Sequence, residues 1–263
     1  MSIHVHKTGL NKTLGQQSDG IITSNLIGNF DPSNIGSDSN AWDNQVSGGN
    51  NIRRYNSISH VNSTPHHFSF DGSDDYLGEA STGYGGSAFN INCANAFTVS
   101  QWINTPSNGN YYSCIGSESD NEYVGLQFYP STIYLAVFSS TYSSNSATYA
   151  PYNGTDVISA GAWHYVTLTH DGSGNYKVYI NGTIQNDGQT PLSTSFSLGR
   201  TAANSALTLG RSYDSSPYYS TNGVKLGHVH VHTSELKNSQ VRQNFLASHD
   251  MHNNRVYGAT YTA

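Results

Sequence analysis

WHYVTLTHDGSGNYKVYINGT, residues 163–183, carries the pattern that decides the fold. After a Trp-His opening, Val166 and Leu168 alternate with polar neighbours, as in a strand with one face buried. Asp171 to Asn175 is a Gly-, Ser- and Asn-rich turn, and Tyr176, Val178 and Ile180 alternate again beyond it. Asn181-Gly182 then supplies a dipeptide that suits a tight hairpin connection. The segment reads as a β-hairpin with one apolar face.

The same signal recurs on both sides. FTVSQWI (97–103), YYSCIG (111–116), YVGLQFY (123–129) and TIYLAVF (132–138) precede it, and ALTLGR (206–211) and KLGHVHVH (225–232) come after it. Further upstream, IITSNLIGNF (21–30) reads as a first core strand and HHFSFDGSDDYL (66–77) as two strands around a turn, with DPSNIGSDSNAWDNQVSGGNN (31–51) a loop between them. Short strands separated by Gly, Ser, Asn and Asp predict an all-β fold of two antiparallel sheets packed as a sandwich. One short C-terminal helix is expected, SQVRQNFLASH (239–249), with Ser239 as N-cap and Val241, Phe245 and Leu246 on one face. The organisation expected is an N-terminal arm over 1–20, one sandwich domain over 21–248 and a tail over 249–263, with no internal repeat.

Composition agrees. Charged residues make up 11% of the 263, and 19 Tyr and 26 Gly, with runs of Ser and Asn, supply polarity suited to strands and turns. The net charge of -6 argues against a nucleic-acid phosphate backbone as partner. No run approaches the roughly 18 apolar residues of a membrane span, so membrane insertion is not expected. The first twenty residues lack the apolar core of a secretory signal, which favours a protein used without Sec export or one whose leader was removed. Cys93 and Cys114 allow at most one bridge, sit in no CxxC spacing and read as buried thiols.

The 163–183 hairpin resembles laminin-G-like, concanavalin-A-like domains, in which a strand of the type WHHVALTYDG is followed by one of the type LYVNG. FSFDGSDDYL (68–77), FTVSQWI (97–103) and GHVHVHTSELKNSQVRQNF (227–245) fall in the order that family shows, the last matching its closing strand and helix. The resemblance covers residues 20–248 and implies a jelly roll. NLIGNFDPSN…AWDNQVSGGNN is similar to a version common in proteins of tailed bacteriophages, with Phe30, Asn44 and Val46 departing from its usual residues. That resemblance implies a virion protein assembled in the host cytoplasm.

Three constellations bear on chemistry. In ESDNE, Glu118, Asp120 and Glu122 have the E-x-D-x-E spacing of the retaining β-glucanases that share this sandwich, where two carboxylates act about 5 to 5.5 Å apart. Ser119 and Asn121 stand where a strand would need apolar residues, so the reading is a hairpin loop and no catalytic residue is assigned. Asp71, Asp74 and Asp75 cluster around Gly72 and offer hard oxygen ligands of the kind calcium favours; the alternative is that they cap the turn. Tyr142, Tyr149, Tyr152, Tyr213, Tyr218 and Tyr219 lie in Ser-, Asn- and Pro-rich segments that read as loops at the sandwich ends, suited to glycan or protein contact. Trp102, Trp163 and His164 read as core or structural, and Arg200 and Arg211 as strand-end rim residues. No phosphate loop, HExxH motif or nucleophile elbow is present.

GHVHVH (227–232) sets His228, His230 and His232 on one face, with Val229 and Val231 on the other. The histidine face is expected to meet solvent or an interface. His4 and His6 repeat the pattern and, were the first and last strands neighbours, could join a zinc-type site, as could HxH pairs around a three-fold axis. The expectation for function is a non-enzymatic virion surface protein, head-decorating or tail-associated, in contact with other virion proteins and host-surface glycan, with a homo-oligomer implied if its terminal arms contact neighbouring chains. The alternatives are a secreted, extracellular bacterial carbohydrate-binding or adhesion module and a β-glucanase-like hydrolase.

Overall fold

The computed structural model of the chain describes residues 20–36, 38, 40–79, 95–107, 109–117, 122–129, 132–138, 148–152, 159–185, 206–211 and 219–252; at 79, 114–117, 122–124, 129, 132–138, 148–152, 206 and 250–252 it describes the backbone alone. Sixteen strands are described: β1 (Leu26–Phe30), β2 (Ala41–Trp42), β3 (Ile52–Tyr55), β4 (Ser59–Val61), β5 (His67–Ser69), β6 (Tyr76–Glu79), β7 (Ala96–Asn104), β8 (Tyr111–Ser117), β9 (Glu122–Tyr129), β10 (Thr132–Phe138), β11 (Thr148–Tyr152), β12 (Trp163–Asp171), β13 (Tyr176–Ile180), β14 (Thr183–Ile184), β15 (Ala206–Leu209) and β16 (Lys225–His232). One helix, α1 (Asn238–His252), closes the described chain. The strands form two antiparallel sheets. The first runs β14-β13-β12-β7-β16-β5-β4, with β1 also paired to β16; the second runs β11-β10-β9-β8-β15-β6-β3-β2.

The hairpin of residues 163–183 forms as read. Val166 pairs with Ile180 and His170 with Tyr176. Its turn is organised by Asp171, whose Oδ1 accepts from the Ser173 and Asn175 amides while the Gly174 amide donates to His170 Nε2. Asn181 and Gly182 both have positive φ (50° and 77°), the geometry of a type I′ turn into β14. Along β7 the inner face is Phe97, Val99, Gln101 and Ile103. These meet Leu168 and Val166 on one side and Val231, Val229 and Leu226 on the other. Gln101 is a polar residue in that inner row, and its Oε1 accepts from the Tyr111 hydroxyl of the facing sheet.

The core between the sheets joins Phe30, Phe68, Val99, Val229 and Val231 of the first to Ile52, Leu77, Tyr111, Leu126 and Leu207 of the second. Trp42 lies at its edge, fully buried against Phe30 and Phe68 and donating through Nε1 to the Asp31 carbonyl. The 31–51 stretch, read as loop, therefore contains a core residue on a two-residue strand. Asn44 braces the turn beyond β2: Oδ1 accepts from the Asn29 and Val46 amides, and Nδ2 donates to the Ile27 and Asn50 carbonyls. The apparent departure at Asn44 thus ties β1 to this loop.

Two local expectations change. The helix begins at Asn238, so Ser239 is inside it; Lys237 precedes the first turn, and its amide donates to Gln240 Oε1 in half of a capping box. The helix also runs past residue 249, to His252. Among the described residues no helix is long and apolar enough to cross a membrane.

Candidate functional site

The turn 71–75 between β5 and β6 and the end of β3 lie together. Asn56 and Ser57, both at positive φ, close β3, and Asn56 Nδ2 donates to the Asp74 carbonyl at 2.7 Å. Gly72, at φ +87°, packs so tightly on the Asn222 backbone that no side chain fits. Within the turn, Asp71 Oδ1 accepts from the Ser73 amide and Asp75 Oδ2 from the Asp71 amide. Capping bonds of the kind expected for such a turn are present.

The carboxylates still converge. Asp71, Asp74 and Asp75 bring one oxygen each within 4.8 Å of one another, the single such His/Cys/Asp/Glu group among the described residues. Asp71 and Asp74 are exposed, whereas Asp75 is 4% exposed and its Oδ1 has no hydrogen-bond partner. Burial raises the Asp75 carboxyl above its ordinary range and the neighbouring charges of Asp71 and Asp74 add to this, against the lowering effect of the Asp71 amide. A hard divalent cation would supply the missing partner and relieve the repulsion, which is the donor chemistry calcium takes.

Tyr76 comes directly after this turn and stands in an aromatic row. It stacks on Tyr55 with ring centroids 4.3 Å apart, and the Arg211 guanidinium lies over its ring at 5.2 Å and over Tyr219 at 5.8 Å. Tyr219 is therefore half-buried and joined to the carboxylate turn through Arg211 and Tyr76. Arg211 is buried between two rings, contrary to the rim position expected for it. Tyr55 and Tyr76 were not singled out from the sequence; their places beside the NS and DD turn residues were the available signal.

The other expected contact residues are not gathered here. Tyr142, Tyr213 and Tyr218 lie outside the described residues, as do Glu118, Asp120, Cys93, Arg200, His4 and His6. Tyr149 and Tyr152 belong to β11 at the edge of the second sheet, opposite Ala136 and Ile133, and not to a loop. Around ESDNE, Ser117 of β8 pairs with Glu122 of β9, so residues 118–121 connect the two strands of a hairpin.

His228, His230 and His232 depart most from expectation. They do lie opposite Val229 and Val231, and β1 does pair with β16, but the three are 2%, 0% and 0% exposed. The chain itself covers them. Asp31 Oδ2 lies 3.2 Å from His228 Nε2, the Tyr165 hydroxyl 3.0 Å from His230 Nδ1, and the Ile22 carbonyl 2.9 Å from His232 Nε2. α1 crosses the same outer face, with Trp102 Nε1 donating to Ser248 Oγ and Phe245 packed on Trp102 and Tyr165. Trp102 is thus buried beneath the helix and not between the sheets, while Trp163 is half-buried against His67. His164 is structural as expected, accepting from the Ser159 amide. β16 is therefore covered and not a solvent-facing or three-fold-axis strand, and among the described residues the histidines form no three-ligand group.

A profile of the family described as the concanavalin A-like lectin/glucanases superfamily matches residues 71–242, and the chain belongs to that family. No curated protein sequence matches it. Among solved structures it is similar to the botulinum neurotoxin serotype D binding domain (15% identity, TM-score 0.58, covering 85% of this chain and 51% of that one). It is also similar to the botulinum neurotoxin DC binding domain in complex with rat synaptotagmin II (15%, 0.58, 84% and 51%) and in complex with SialylT (16%, 0.57, 84% and 51%). The chain spans about half the length of these domains, and at such identity the likeness is one of fold.

Proposed function

We propose that the chain is a non-enzymatic binding module of a tailed-bacteriophage particle, presenting one end of its sandwich to host-surface glycan or protein. The observation that carries the reading is the pairing, at that end, of a convergent carboxylate turn with the Tyr55, Tyr76 and Tyr219 row. Aromatic rings cover the apolar face of a sugar or anchor a protein contact, and the carboxylates organise the loop around a calcium ion. Family membership supports a binding scaffold, although such a fold alone assigns no activity. The phage setting rests on the 25–51 stretch, whose Trp42 and Asn44 hold β1 and β2 in place.

Mass spectrometry of purified particles is the decisive test of location, and absence of the protein from them overturns it. A glycan array run with and without calcium tests the binding surface; signal lost on Tyr76→Ala supports it. An array without hits moves the reading to protein contact, and release of reducing sugar from β-glucan, abolished by Glu122→Gln, would establish the hydrolase instead.

A further inference from the structure

The outer face of the first sheet is unusual for a surface covered by a helix. Beneath α1 and residues 20–25 it carries a polar layer: Thr98 and Ser100 from β7, Thr167 and Thr169 from β12, and the three histidines of β16, all buried. Each histidine uses one ring nitrogen and leaves the other, His228 Nδ1, His230 Nε2 and His232 Nδ1, buried without a partner. Neutral imidazoles tolerate this arrangement because the unpartnered nitrogen is then an uncharged lone pair or N–H. An imidazolium does not, since both nitrogens then carry protons and the unpartnered one would be a buried charge.

We propose that His230 and His232 form an acid-released latch, holding α1 and residues 20–25 on the sheet while neutral and freeing them when protonated. The surrounding groups explain why these two, and not His228, carry the device. His228 has a carboxylate beside it, Asp31 Oδ2 at 3.2 Å, whereas the hydrogen-bond partners of His230 and His232 are neutral. His230 meets the Tyr165 hydroxyl from β12, sits opposite Ser100 on β7 and Asn29 on β1, and has the His228 ring stacked 6.0 Å away. Asn29 offers a buried Oδ1 without a partner, a neutral acceptor only. His232 meets the Ile22 carbonyl and sits opposite Thr98, whose hydroxyl is already committed to Ser234 and Leu236. On α1, the buried Asn244 accepts from the Ile22 amide and the buried Ser248 from Trp102, both neutral, and His249 packs on Trp102. Lys177 on β13 and Glu235 in the segment before α1 form an ion pair, so that carboxylate is already committed. Burial holds both rings below the ordinary imidazole range; at His230, the furthest lowered, the charges of His228 and His232 add to it against that of Asp31, and at His232 the Ile22 carbonyl opposes it.

The two parts of the lid are tied to each other by Ile22 N donating to Asn244 Oδ1 and Gln243 Nε2 to the Gly20 carbonyl, and they are held to the sheet by Trp102 Nε1 donating to Ser248, the Tyr179 hydroxyl to Asn238, the Ile22 carbonyl against His232, and Phe245 packed on Trp102 and Tyr165. Opening it admits water to both rings without disturbing the core between the sheets, so it costs less than global unfolding.

Hydrogen exchange of the full chain, corrected for intrinsic rates, tests the latch. Between pH 7.5 and 5.5 the amides of α1 should lose about tenfold or more of their protection, since one pH unit below a proton-uptake point is a tenfold change in population. Those of β7 and β12 should keep theirs, and His230→Asn with His232→Asn should remove the pH dependence. Unchanged α1 protection, loss in step with β7 and β12, or the same dependence in the double variant overturns the proposal. Should that variant fail to fold, imidazole titration of the wild type by NMR decides. Proton uptake by His230 and His232 in the pH interval where α1 opens supports the latch, and either event without the other overturns it.

Discussion

At the scale of single residues, alternation tells which face a side chain takes and not what lies over that face. Val229 in and His230 out was legible from GHVHVH, whereas the cover over the histidine face comes from Ile22 and Ser248, which no local pattern links to it. Gly210 shows the same limit. It sits at φ +93°, and a Cβ there would run into the Phe70 ring of the core. Gly210→Ala should therefore cost about 2–4 kcal/mol, from left-handed backbone plus overpacking, measured as a lower urea midpoint with unchanged slope. Asp75 allows a sharper test because its sign reverses with conditions. In EDTA at pH 7, Asp75→Asn removes a carboxylate repelled by Asp71 and Asp74 but keeps an oxygen for the Asp71 amide, so the variant should melt no lower than the wild type. With millimolar calcium the wild type should rise by several degrees and the variant should not. A wild-type melt indifferent to EDTA would remove the cation.

At the scale of elements, long alternating segments were readable and short ones were not. β7, β12 and β16, of eight or nine residues, carry enough period to set both faces, while β2 and β14 have two residues each and no period at all. The helix was legible through Val241 and Phe245, but its buried polar positions, Asn244 and Ser248, read as a solvent face until the polar sheet beneath them is seen. Two substitutions separate what holds it. Phe245 is 3% exposed and packs on Trp102 and Tyr165, so Phe245→Ala should cost about 3–5 kcal/mol in chemical denaturation. Glu235, whose ion pair with Lys177 has side chains 27% and 41% exposed, should cost less than about 1 kcal/mol on change to Gln. Equal effects would place the helix's attachment in charge and not in packing.

At the scale of the whole molecule, the two sheets and their order arise from the strand pattern, but the distribution of the 12 histidines sets how the fold responds to acid. Burial is the main cause that holds His60, His67, His164, His170, His230 and His232 below the ordinary imidazole range of about 6.5. Between those lowered values and 6.5 the unfolded chain binds more protons than the folded one, so stability rises with pH across that interval. Their contribution is whole above 6.5 and is lost as pH falls below it. Two carboxylates act later. Burial pushes Asp31 up, but the bonds and charge of His228 and the Ser33 amide overcome it and hold it well below the carboxylate range. Asp171 follows the same pattern: burial pushes it up, but the bonds from Asn175 and Ser173 and the charge of His170 together overcome it and lower it. Their stabilisation is present above about 3.9 and disappears only below it. Asp75, raised, runs the other way and gains from protonation above that point. The urea midpoint should therefore be flat from pH 8 to 7, fall steadily from about 6.5 to 5, and steepen again below about 4. A midpoint that stays level down to pH 5 would mean that the buried imidazoles take up protons in place, in which case neither the fold nor its helix responds to mild acid.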